Sequence, residues 1–187
     1  MTRSVMVIER ATLREIRSKV FREQASTMRD EAARFSLPDF EATLTELRRG
    51  IRALLLALPD SAFVPDAGDG ESDIWKAGQV IGHVYDAQTN TFLRPVRLIA
   101  GMPQGPTAYS PGATMSYPLL SREGALATLD NADRDLLEVL GLLSPEVDLC
   151  RSYEDERVGK VSIRALLLFL AIHDDDHLGQ LEAMLPG

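Results

Sequence analysis

Apolar residues recur along this chain at steps of three and four among charged and small polar positions, the spacing of amphipathic helices. Over residues 5–34 they are Ile8, Ala11, Leu13, Ile16, Val20, Phe21, Ala25, Met28 and Ala32, which predicts an N-terminal amphipathic helix that straps the body or joins two subunits. Ser36-Leu37-Pro38-Asp39 then reads as a helix start, with a serine cap, an early proline and an acid three residues on. The helix it opens carries Phe40, Leu44, Leu47, Ile51, Leu54, Leu55 and Leu58 on its apolar face, and Pro59-Asp60 ends it. A long helix is expected from Ile74 to about Ala100. Another runs from Ser121 to about Leu143 with Leu126, Leu129, Leu136, Leu137, Leu140 and Leu143, stopped at Ser144-Pro145. The last is capped by Ser162 and runs to Met184.

Between these elements, residues 65–73 are acidic and turn-rich, and 101–118 hold four prolines with Tyr109 and Tyr117 among them. A loop as long as the second commonly carries a functional lid or binding segment. Residues 146–160 form a charged connection containing Cys150. No strand alternation is expected, so the pattern implies an all-α bundle: a helical extension over 1–35 and a four-helix body over 36–187.

Charge narrows the range of partners. Lys and Arg number 20 against 28 Asp and Glu, a net charge of -8, with an isoelectric point near 4.9. Such a chain repels nucleic acid and anionic membranes at long range. Residues 1–34 hold eight basic and five acidic side chains (+3), leaving 12 and 23 (-11) for the rest. The N-terminal segment is therefore read as a basic helix docked on an acidic body. The longest apolar stretch, Ala165–Ile172, is too short to span a membrane, and no secretory pattern opens the chain. The single cysteine fits a reducing compartment, and the cytoplasm is the expected location.

Candidate chemistry gathers on the three histidines. His173 and His177 stand one helical turn apart, the spacing at which two imidazoles hold one metal ion. With His173 as reference, Leu166, Phe169, Leu170, His177, Gln180 and Met184 fall within about 60° of it, while Asp175 points nearly opposite, to water. The same count puts Lys76, Gln79, Val80, Ala87, Asn90 and Arg94 on the face of His83. Three neutral imidazoles meeting in a core favour zinc, nickel, copper or iron over magnesium or calcium, and leave a coordination position open. Asp86, Asp174 and Asp176 are available to orient the imidazoles. Against this stand hydrogen-bonded core histidines and an aspartate run that is merely a solvated helix edge.

Trp75-Lys76-Ala77-Gly78-Gln79-Val80-Ile81-Gly82-His83-Val84-Tyr85-Asp86 and Leu168-Phe169-Leu170-Ala171-Ile172-His173-Asp174-Asp175-Asp176-His177-Leu178-Gly179-Gln180 resemble the two metal-binding segments of the DinB-like superfamily, DNA-damage-inducible four-helix proteins. The resemblance covers about residues 38–185. It implies an up-down-down-up bundle, often dimeric, with His83, His173 and His177 on a divalent metal such as zinc, nickel or iron. It further implies a thiol S-transferase of the bacillithiol- or mycothiol-using kind, in which a metal-activated low-molecular-weight thiol attacks an electrophile. Asn90, Arg94 and Tyr109 are then the candidates for substrate contact. Two other functions compete. One is metal-assisted hydrolysis using the His173-Asp174-x-x-His177 acid as base. The other is a stress-associated metal- or ligand-binding bundle without turnover.

Overall fold

A computed structural model describes residues 4–65, 75–111, 116–143, 149–155 and 159–186. The expected loop 65–73, the start of the second long helix at Ile74, and the Ser144-Pro145 stop lie wholly or largely outside these. The elements are α1 (Arg10–Arg17), α2 (Met28–Ala32), α3 (Leu37–Ala57), α4 (Ala77–Asp86), α5 (Arg94–Ala100), α6 (Arg122–Leu142), β1 (Ser152–Asp155), β2 (Gly159–Ser162) and α7 (Ile163–Glu182). No described helix is long and apolar enough to cross a membrane.

The caps fall where the sequence places them. Ser36 and Asp39 form a reciprocal capping box, Ser121 accepts from the amide of Gly124, and Ser162 accepts from the amide of Ala165. Each satisfies an amide that has no partner within its helix. The apolar stripe of α3 (Phe40, Leu44, Leu47, Ile51 and Leu55, then Leu58) is buried, as are Leu129, Leu136 and Leu140 of α6. Leu137, expected on the same stripe, is half exposed.

Side-chain contacts give the helix directions. Arg52 meets Asp130, and Arg122 reaches the carbonyls of Leu55 and Leu58, so α3 and α6 are antiparallel. Gly78 lies against Leu120, Gln88 against Ala132 and Arg97 against Asp135, so the α4–α5 rod runs parallel to α6. Arg48 pairs with Asp174 and Gly50 lies under Leu178, which makes α7 parallel to α3. The bundle is therefore all-α and up-down-down-up.

Three expectations about secondary structure are corrected. The long second helix is not uniform: Ala87–Leu93 is a π-helical stretch between α4 and α5. Pro95, in the first turn of α5, has no amide hydrogen, and its ring crowds the carbonyl four residues earlier; a widened turn relieves both. The N-terminal helix is broken as well. A π turn over Ser18–Arg22 is followed by Gln24 at φ +53°, and Thr27 caps a new start. Finally, β1 and β2 form an antiparallel hairpin with Tyr153 opposite Val161. Its other residues are polar or glycine, so hydrophobic alternation could not reveal it. Backbone bonds from Ile163 to Arg151 and from Arg164 to Leu149 tie it to the start of α7.

The basic N-terminal segment straps the acidic edge of α7. Arg10 and Arg14 both bond Asp175, Arg10 also bonds Glu182, and Arg17 bonds Asp176. Asp175 thus does not face water; it is 2% exposed beneath the two arginines. Phase within one helix showed its direction away from the core but not the strap that covers it.

Candidate metal centre

Glycines bring the pieces of the site together. A Cβ on Gly78 would stand 2.1 Å from the carbonyl oxygen of Leu120, so only glycine lets the segment before α6 cross α4 this closely. Tyr117 on that segment consequently packs over Gly82 and His83 and is buried. Trp75 lies against both rings, with centroids 5.0 Å from His83 and 5.4 Å from Tyr117.

The three histidines converge. The Nε2 atom of His173 is 3.1 Å from that of His83 and 3.2 Å from that of His177, and the three residues offer ligand atoms all within 4.8 Å of one another. Tetrahedral ligands about 2.0–2.1 Å from a metal stand about 3.3 Å apart, so the spacing matches a shared ion. The outer nitrogens decide the tautomers. The Tyr117 hydroxyl donates to Asp86 at 2.6 Å, so its oxygen accepts the Nδ1 hydrogen of His83 at 3.0 Å. The Nδ1 of His177 donates to Gln180 at 2.9 Å. Both Nε2 atoms are then bare lone pairs aimed at His173, which can donate to only one of them. The donor set is short of a cation, and a divalent metal fits it.

Burial, then repulsion from His173, pushes His83 down to about 4, with Asp86 opposing; the same two causes push His177 down to about 4. Both are neutral at pH 7, the form that binds metal. Burial and the bond to Asp86 push the Tyr117 hydroxyl up, so it keeps its proton.

The other candidate residues are placed differently. Asp86 reaches His83 only through Tyr117, and Asn90 donates both to Asp86 at 2.7 Å and to the Ala108 carbonyl at 3.1 Å, tying the long loop to this relay. Asp174 lies 3.7 Å from His173 Nδ1, beyond hydrogen-bonding reach, and is fully buried against Arg48, which also bonds Gln88. Burial alone would push the Asp174 carboxyl up, but Arg48 and His173 hold it below the usual range. Asp176 bonds Arg17 instead of an imidazole. Arg94 lines a cavity with Arg97, Gln104–Thr107 and Asp135 that contains none of the histidines, because the π stretch turns it off the phase of His83. Tyr109 is 62% exposed. Tyr117 and Gln180, which complete the centre, stand in the sequence as a loop aromatic and a residue on the histidine face. The small residues Gly78 and Gly82 were the available signal that something crosses there.

No curated protein and no solved structure matches the chain. The family model of the DinB superfamily matches residues 43–181, which take in all three histidines and most of each of the four core helices. With that match over most of its length and a three-histidine cluster between its second and last core helices, the chain belongs to the DinB superfamily.

Proposed function

We propose that this protein is a divalent-metal-dependent transferase that activates a low-molecular-weight thiol of the bacillithiol class for attack on an electrophile. The observation that carries the reading is the convergence of three Nε2 atoms, two of them stripped of hydrogen by Tyr117 and Gln180. When bound there, zinc, nickel or iron supplies a Lewis-acid centre at which a coordinated thiol is deprotonated near neutral pH. The chain's own part is to hold the ligands neutral and oriented. Tyr117, Asp86 and Asn90 fix the ring of His83, and Gln180 fixes that of His177. Trp75 and Phe92 set aromatic walls against His83 and His173, limiting the water around them.

A hydrolytic reading draws less support. Asp174, the acid it needs as base, is buried and already paired with Arg48. Elemental analysis of tag-free protein tests the metal, with one equivalent expected per chain and none in His173→Ala. Turnover of a model aromatic electrophile with bacillithiol tests the transfer. Metal-loaded protein that conjugates no cellular thiol would overturn the transferase reading and leave a metal-binding bundle.

A further inference from the structure

The strap, the hairpin and α7 line an open cavity of about 500 Å³ that, among the described residues, shares none with the histidine centre. Its apolar lining comes from three separate parts of the chain: Phe21 and Met28 from the strap, Val161 from β2, and Leu166 and Phe169 from α7. Phe21 and Phe169 meet at a centroid distance of 5.4 Å. Phe21 is 49% exposed and Phe169 39%, so two aromatic rings are held open to solvent at one cavity. The volume falls within the roughly 300–1,000 Å³ of small-molecule pockets.

Charge says what the occupant is. Arg29 and Lys160 also line the cavity, and neither makes an ion pair among the described residues. Among the described residues the one lining carboxylate is Asp30, which accepts the Thr27 hydroxyl at 2.7 Å. On a chain of net charge -8, these two cations, unpaired among the described residues, outnumber the lining carboxylate and form with the aromatic lining a local attraction for anions. We propose that this groove binds a small organic anion, with an aromatic or aliphatic body against Phe21 and Phe169 and a carboxylate or sulfonate between Arg29 and Lys160. Family members matched only from residue 43 onward need not share it, since the strap supplies one whole wall. Phe169 touches Phe92, and Phe92 touches His173, so the groove lies two ring contacts from the histidine centre.

Calorimetric titration of the full, metal-free chain with 2-naphthoate, and with neutral 2-naphthalenemethanol of the same shape, tests this independently of metal and turnover. Naphthoate is expected to bind saturably at one site per chain and more tightly than the alcohol. Arg29→Glu combined with Lys160→Glu should weaken naphthoate at least tenfold and the alcohol less than twofold. Phe21→Ala, a half-exposed position, should weaken both while the far-ultraviolet circular dichroism stays unchanged. Absence of saturable naphthoate binding, equal affinity for both probes, or binding indifferent to either set of substitutions would overturn the proposal.

Discussion

The Nε2 atoms of His83 and His173 lie 3.1 Å apart, although ninety positions separate them along the chain. That approach requires α4 and α7 to be neighbours, and the His83 and His177 rings are held from behind. For His83 the hold is Tyr117, which stands on no core helix.

Tyr117→Phe keeps the ring and removes the oxygen that accepts from His83. It also removes one of the two side-chain donors to Asp86, leaving Asn90. Loss of such an outer partner costs about 10–100-fold in metal affinity. Chelator competition should show that loss while the helical signal persists; unchanged affinity would remove Tyr117 from the centre.

Gly78→Ala drives a methyl group into the Leu120 carbonyl. Overpacking of this kind costs about 1–3 kcal/mol, and backbone as the obstacle places it at the upper end. Denaturant titration should show the loss of stability. Metal affinity should fall with it, because the displaced segment carries Tyr117. Gly82→Ala, where a Cβ would meet the Tyr117 ring at an ordinary 3.5 Å, should be much milder.

Arg48→Met leaves Asp174 buried without its cation. Breaking a buried ion pair from one side costs about 3–5 kcal/mol. Chemical denaturation measures it, and the double variant with Asp174→Leu should recover much of the loss. A single variant as stable as the parent would mean the pair contributes nothing to the fold.

The metal-free protein should lose stability on acidification. His83 and His177 are held near 4 in the folded chain against an ordinary 6.5. Between those values the unfolded chain binds protons that the folded one refuses, so stability rises with pH through the window and is lost as pH falls from 6.5 toward 4. Thermal melts across that range should show Tm dropping. The metal-loaded protein should resist until proton competition releases the ion. A flat Tm in the metal-free form would contradict neutral, half-buried imidazoles.

Asp175→Ala removes the carboxylate shared by Arg10 and Arg14. The strap should loosen, and limited proteolysis should cut within residues 18–27 faster than in the parent while the four core helices stay intact.

Helix-period hydrophobicity and capping residues were enough to place three of the four core helices, because both act within a few residues of themselves. Ser36, Ser121 and Ser162 cap where local chemistry says they must. The one-turn spacing of His173 and His177 is likewise a local property and survives intact. What sequence alone left open depends on groups brought together from far apart. Asp175 looks solvent-facing within its own helix and is buried only because α1 crosses it. Arg94 shares the phase of His83 in an ideal α-helix and leaves it only because Pro95 forces a wider turn. Tyr117, the residue that fixes His83, is one loop aromatic among several until Gly78 admits the crossing segment. Periodicity determined which faces are apolar and which residues cap. The tertiary structure alone decided which polar groups meet, because hydrogen bonds and metal geometry are set by distances of a few ångströms between atoms that no local pattern relates.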